Sequence, residues 1–327
     1  PEVREQICKV VADIVKNYDV DGIIFDDYFH QSGYKDSYDD AQYNAYKDTA
    51  STVMSRADWR RAQNNLMVRM VKDTIKAVKP WVKFGIGPAG VAGKANTSAP
   101  VYGVEPCPTP YSDWQYNQIY ADPLAWYNEM TIDYMAPQIY WTINSQANYD
   151  VICKWWSDMA CHFNRHMYVS HSLSAMVSDN VSLGSGQFHA NEIGAQIELN
   201  RMYDRMDAPG SCWYGFSTGM TTKDYFKYIE NDVNTNAAVV PQMSWLATKE
   251  CLYVSNITKS GNKLTWKAPK SNLRYVVYQI PTSELGKHGV AHSSKYLLGT
   301  TYTTEFNVNN KFALDATIPS TYAVAVL

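Results

Sequence analysis

The chain has 327 residues, 46% hydrophobic and 19% charged, which exceeds the usual length of one domain and leaves ample apolar material for cores. A formal net charge of −3 and a pI near 6.2 give no electrostatic case for nucleic acid or an anionic membrane surface. No apolar run approaches the ~20 residues that cross a bilayer. Cys8, Cys107, Cys153, Cys161, Cys212 and Cys251 lack CxxC pairing or zinc-ligand spacing and read as buried free thiols.

Pro1-Glu2-Val3-Arg4-Glu5 has the form of a helix start, with proline in the first turn and acids at the positive end of the dipole. Val3, Ile7, Val10, Ile14 and Val15 are its expected apolar face. After Asn17-Tyr18-Asp19, residues 20–25 form an apolar run of strand length, as in parallel strands buried on both faces. The alternation then repeats. Helix 59–79, with Leu66, Met70, Ile75 and Val78 inward, precedes strand 82–87, and helix 122–129 precedes strand 132–140. Helix 149–161 precedes strand 167–171, helix 191–206 precedes strand 212–217, and a closing helix spans 224–231. Strands alternating with helices indicate a parallel α/β sheet.

Five strands fall short of the eight of a (β/α)8 TIM barrel, and the last behaves as a final strand. The expectation is therefore that residues 1–240 are the C-terminal five βα units of such a barrel, with three strands upstream. The segment 89–116, rich in Pro, Gly, Ser and Tyr, reads as a long βα loop of the binding-site kind. Beyond the linker at 239–242, residues 245–327 change texture into short alternating runs, including 263–266, 275–278 and 321–326. These predict an all-β sandwich with Trp266 and Tyr278 facing inward and Tyr322 on a late strand.

At Asp21-Gly22-Ile23-Ile24-Phe25-Asp26-Asp27-Tyr28-Phe29 the sequence resembles the glycosyl-hydrolase-like 10 family of bacterial barrels. Asp58-Trp59-Arg60-Arg61 with Asn65, the run 79–86, Tyr120-Ala121-Asp122, the run 132–141 and Trp155-Trp156 follow in the family's order. The resemblance covers roughly residues 1–245, and the tail is similar to a fibronectin type III module. What it implies is an extracytoplasmic bacterial glycoside hydrolase, in the periplasm, at the cell surface or secreted. Its substrate would be a bacterial or environmental polysaccharide, peptidoglycan glycan strands included. The sequence departs from the family at Ala62-Gln63, at Gly87-Pro88-Ala89-Gly90 and near His171-Ser172-Leu173, changes that bear on substrate choice.

Residues of a strand alternate, so Gly22, Ile24 and Asp26 share one face while Ile23, Phe25 and Asp27 share the other. The bulkier face suits the helix layer, which aims Asp26 into the barrel mouth, where acids at C-terminal strand ends do chemistry. The competing structural role for Asp26 or Asp27 is to cap the next helix or to pair with Arg60 or Arg61. Glycoside hydrolysis needs a second carboxyl, yet the following strands end in Gly87, Gln138, His171 and Ser217, none acidic. Glu105, in the long loop, is the remaining candidate acid, so the catalytic set is Asp26, Asp27 and Glu105. Tyr28, Gln138, Tyr140, Trp141 and His171 are the candidate sugar contacts, with core packing and simple hydrogen bonding as alternatives for Trp141 and His171. The 25 Tyr and 10 Trp suit sugar recognition and barrel cores equally. No phosphate loop, zinc spacing or GxSxG elbow is present, so no cofactor or metal is expected. Against a glycosidase stand a non-catalytic glycan-binding barrel and a fragment without function of its own.

Overall fold

A computed structural model describes residues 1–93, 97–109, 112–173, 190–215, 217, 225–246, 250–287 and 293–327. The chain divides into two compact units, 1–226 with 243–246, and 227–242 with 247–327. Phe216 and Asp224, expected in the last strand and the closing helix, lie outside the described residues.

In the first unit the chain runs α1 (Glu2–Asn17), β1 (Gly22–Phe25), α2 (Asp40–Thr49), α3 (Arg56–Val78), β2 (Lys83–Ile86), α4 (Pro123–Asn128) and β3 (Tyr134–Met135). It continues through α5 (Tyr149–His162), β4 (His166–Ser172), α6 (Ala190–Tyr203) and β5 (Gly210–Tyr214). The five strands form one parallel sheet in the order β1-β2-β3-β4-β5, curled into half a barrel. Helix starts follow their sequence signals. The Ser55 side chain accepts from the Asp58 amide at α3, Asn148 accepts from the Val151 amide at α5, and Asp122 precedes Pro123 at α4.

Strand register sorts the side chains into two layers. Phe84, Ile86, Met135, Met167 and Val169 share a core with Val11 and Val15 of α1 and Val68, Val71 and Ile75 of α3. Ile23 and Phe25 of β1 pack against that core, Phe25 edge-on to Phe84 at 5.3 Å. On the opposite, inner face the register aligns Ile24 with Gly85, Gly85 with Tyr134, and Tyr168 with Gly210. The rings of Tyr134 and Tyr168 lie 5.1 Å apart. A Cβ at Gly85 would stand 2.3 Å from the Tyr134 ring and one at Gly210 2.5 Å from Tyr168, so glycine there leaves the inner face room for tyrosine.

Several helix faces differ from the sequence expectation. Val3 and Val10 are exposed, and α1 buries Val11 and Val15 with Ile7 and Cys8 partly covered. In α3 the buried stripe is Arg61, Asn64, Val68, Val71 and Ile75, while Val78 is exposed. Polar residues in the stripe hid it from a hydrophobic count. The third strand, expected over 132–140, is only two residues long. Pro137 carries no amide hydrogen for the ladder, and beyond it Ile139 and Tyr140 donate to the carbonyls of Pro137 and Gln138, two residues back.

The second unit contains two three-stranded antiparallel sheets, β10-β7-β6 and β11-β8-β9. Their strands are β6 (Ser255–Ser260), β7 (Lys263–Lys267), β8 (Tyr275–Pro281), β9 (Leu297–Thr301), β10 (Glu305–Asn307) and β11 (Ser320–Val326). Leu264 and Trp266 from one sheet share a core with Tyr275, Val277 and Leu298 from the other. Tyr278 is buried, as expected, but on the opposite face of β8, packed with Val276, Ile280, Tyr296 and Leu297.

Candidate active site

The C-terminal end of β1 places Asp26 and Asp27 side by side in different surroundings. Asp26 is exposed, and its Oδ1 accepts from Gln138 Nε2 at 2.6 Å and from the Asp27 amide at 2.9 Å. The same Gln138 nitrogen donates to the Gly87 carbonyl at 2.8 Å, so the glutamine amide is clamped between β2 and the aspartate. Asp27, 7% exposed, is pushed up to about 6 by burial, then by the Asp26 charge and a hydrogen bond with it. The pair therefore offers a carboxyl that holds its proton into weakly acid solution beside an exposed carboxylate.

Neither aspartate is an ion-pair partner of the nearby arginines. Arg60, 2% exposed, donates to Asp39 at 2.6 and 2.8 Å, to Asp36 at 2.9 Å and to the Tyr120 hydroxyl at 2.8 Å. Arg61 donates to Asp58 at 2.7 Å and to the Tyr116 carbonyl at 2.9 Å, its guanidinium 4.0 Å from the Tyr116 ring centre. Asp39 lies between a 3-10 turn (Asp36–Tyr38) and helix α2, neither of which the sequence pattern revealed.

Aromatic rings gather around the pair. Tyr28 is 79% exposed, and its phenol is raised by the Asp27 and Asp26 charges. Burial, followed by the charges of Asp26, Tyr214 and Asp27, pushes Tyr140 up to about 12. Its hydroxyl is 3.3 Å from Ser170 Oγ, and its ring stacks on Tyr214 at 5.5 Å with a 20° interplanar angle. Tyr214, the exposed last residue of β5, escaped the sequence reading because that strand was expected to end at Ser217. Its signal was there: an aromatic residue before a glycine at a strand's C-terminal end.

Two candidate contacts stand elsewhere. His171 is fully buried, with Nδ1 at 3.0 Å from Gln196 Oε1 and Nε2 at 3.0 Å from Ser211 Oγ and 3.3 Å from Asn200 Nδ2. Gln196 uses its own Nε2 on the Trp141 carbonyl and Glu192, so its oxygen accepts the Nδ1 hydrogen. Burial lowers the imidazole to about 4, which keeps it neutral. His171 thus supports the Trp141 backbone through Gln196, and no face of it is open to a sugar. Glu105 is exposed on its loop, where its carbonyl accepts from Trp155 on α5 at 2.9 Å, and among the described residues no contact joins it to Asp26 or Asp27. Trp141 is half-buried against the core, its ring over Gly90. Of the expected set, the structure brings together Asp26, Asp27, Tyr28, Gln138 and Tyr140. Among the described residues no group of three or more His, Cys, Asp or Glu could hold a metal.

A cavity of about 720 Å³ opens beside Asp26 along β1, α1 and α3, with Val3, Ile7, Ile24, Tyr28, Tyr34 and Trp59 in its wall, and Asp27, Gln138, Tyr140 and Tyr214 do not line it. The family model described as glycosyl hydrolase-like 10 matches residues 1–181, more than half of the chain. The chain belongs to this family. It is similar to glycosyl hydrolase YngK of Bacillus subtilis (strain 168), 34% identical over 304 residues that cover 85% of this chain and 55% of YngK. It is also similar to glycosyl hydrolase DigH of Escherichia coli (strain K12), 37% identical over 174 residues that cover 52% of this chain and 37% of DigH. The chain thus spans about half the length of YngK and little more than a third of DigH. A solved glucosidase from Croceicoccus marinus aligns at 11% identity over 99% of this chain and 72% of that one, with a TM-score of 0.40. Membership of the glycosyl hydrolase-like 10 family, rather than that distant likeness, gives the chain its glycoside-hydrolase-like character. Among the described residues no helix is long and apolar enough to cross a membrane.

Proposed function

We propose that the protein hydrolyses glycosidic bonds in a polysaccharide, with the Asp26–Asp27 pair as its carboxyl machinery. The observation that carries this reading is the split within the pair. A carboxyl held at about 6 can donate a proton near neutrality, while among the described residues no ion pair engages its exposed neighbour. Tyr28, Tyr140 and Tyr214 supply ring faces and hydroxyls of the kind that pack on and bond to sugars. The family supports a bacterial glycan as substrate, peptidoglycan strands included, and an extracytoplasmic location. The open edge of β1, bonded only to β2 among the described residues, supports completion of the barrel by further strands. The fibronectin type III assignment for the second unit is a proposal of the same standing, supported by two antiparallel sheets around a shared core.

The test is release of reducing ends by the full-length protein from a panel of bacterial and plant glycans. Turnover should vanish in Asp26→Asn while the melting temperature stays within a few degrees of the parent. A second reading, a glycan-binding barrel without turnover, is favoured by the lack of a well-separated second acid at the described strand ends. Saturable oligosaccharide binding with no cleavage anywhere in the panel would establish it instead.

A further inference from the structure

Resting on the hydrolase reading, the geometry of the pair bears on where the nucleophile comes from. Two carboxyls that work on opposite faces of a sugar stand roughly 5–5.5 Å apart for retention and 6.5–9.5 Å for inversion. Asp26 and Asp27 are consecutive residues at one strand end, the Asp26 Oδ1 atom 2.9 Å from the Asp27 amide nitrogen and the side chains in direct contact. They reach a glycosidic bond from one side. A nucleophile must enter C1 from the side opposite the leaving oxygen, so one member of this pair cannot attack while the other protonates. Among the described residues, the chain leaving β2, β3, β4 and β5 offers Gly87, Gln138, Leu173 and Gly215, none of them acidic. Glu192, on α6, is occupied by the Ile143 amide at 2.7 Å and by Gln196.

We propose that the substrate brings its own nucleophile: a 2-acetamido sugar whose N–H meets Asp26 and whose carbonyl oxygen attacks C1 while Asp27 protonates the leaving oxygen. Asp26 suits the amide because Gln138 and the Asp27 amide hold its Oδ1 in place while the carboxylate stays exposed to accept a further N–H. In the first step the bond from C1 to the acetamido oxygen forms, the C1–O glycosidic bond breaks, and the Asp27 proton leaves with the departing alcohol. The resulting cyclic oxazolinium keeps its N–H on the Asp26 carboxylate. In the second step the Asp27 carboxylate takes a proton from water, the hydroxide oxygen bonds to C1, and the C1–O bond to the amide breaks. The amide and the Asp27 carboxyl are regenerated, and the balance is one water added across one glycosidic bond with retention at C1. Asp26 is then a positioning carboxylate for the amide, and Gln138 positions Asp26.

The experiment compares, on the full-length protein, oligosaccharides of one linkage carrying 2-acetamido, 2-amino or 2-hydroxyl groups. The acetamido oligomer should be cleaved, and the other two slower by roughly 100-fold or more. Mono-, di- and trifluoroacetamido analogues should slow cleavage stepwise as the carbonyl oxygen loses nucleophilicity. Asp27→Asn should keep more activity on a nitrophenyl leaving group, which needs no proton, than on a sugar leaving group. Cleavage of the 2-hydroxyl oligomer within tenfold of the acetamido one, or covalent labelling of a carboxylate by a 2-fluoro glycosyl inactivator, overturns the proposal while leaving the hydrolase reading intact. If no oligomer in any series is cleaved, the hydrolase reading fails and takes this mechanism with it.

Discussion

Replacing Asp27 by asparagine should stabilise the first unit at neutral pH and leave it unchanged in acid. The folded protein holds this carboxyl at about 6 against 3.8 for a free aspartate, a difference worth about 3 kcal/mol at 1.36 kcal/mol per pH unit. The sign follows from proton counts. Below pH 3.8 folded and unfolded chains both carry the proton, and the group has no effect. Between 3.8 and about 6 only the folded chain keeps it, so stability falls as pH rises, and above 6 the full penalty of a buried carboxylate beside Asp26 is present. Asparagine has nearly the same shape and no charge to desolvate. Urea denaturation of parent and Asp27→Asn should show a gain of up to about 3 kcal/mol at pH 7.5 that shrinks to near zero by pH 3.5. A gain of equal size at both ends, or a loss at pH 7.5, would mean that burial and the Asp26 charge do not oppose ionisation of Asp27. The same proton governs turnover: kcat/KM should decline as pH rises through about 6.

Three further perturbations probe other parts of the site. Asp26→Asn removes the like charge from Asp27, whose midpoint in a carboxyl carbon NMR titration should drop below its parent value, and an unmoved midpoint would refute the coupling. Arg60→Met removes the two-point partner of the buried Asp39 and leaves it Arg56 alone, so the loss should fall short of the roughly 3–5 kcal/mol of a fully unpaired buried charge, and Asp39→Asn in the same chain should partly restore it in urea denaturation. Gly85→Ala drives a Cβ to 2.3 Å from the Tyr134 ring and should cost roughly 1–3 kcal/mol. Adding Tyr134→Leu should recover much of that loss, and a silent Gly85→Ala would mean that the inner face is not packed as described.

The sheet was legible because its strands are apolar on both faces and its helices carry caps and periodic stripes that stop at proline or aspartate. Legibility failed where polar groups do structural work. Arg61 and Asn64 are buried in the α3 stripe, so counting apolar residues there aimed the helix wrongly by part of a turn. The segment 36–49 carries Asp36, Asp39 and Asp40, which look solvent-facing in sequence. Asp36 and Asp40 are indeed exposed, but Asp39 is buried, and all three are bound by Arg56 and Arg60 from the start of α3, a pairing across about twenty residues that no local pattern announces. Pro137 gave fair warning that the third strand would stop early, but its neighbours Ile139 and Tyr140 continued the apolar alternation and outvoted it.

At the site, alternation sorted Ile23, Ile24 and Phe25 onto the two faces of β1 because period two is a property of the backbone, but the strand ends before Asp26 and Asp27, whose side chains both meet Gln138. Alternation could not say what each aspartate would meet. Asp26 meets solvent and the Gln138 amide, while Asp27, beside the same Gln138 side chain, is buried. Acids at the mouth of a barrel are where chemistry is expected, which points to Asp26. The electrostatics shift the emphasis to Asp27, whose proton is held toward neutrality because burial and a neighbouring negative charge act on it together. His171 teaches the converse. A strand-end position suggested a sugar contact, yet Gln196, Ser211 and Asn200 satisfy both ring nitrogens, leaving it no chemistry to offer. Position along a strand decides which residues can reach the rim, and the partners each one already has decide which of them remain free to act.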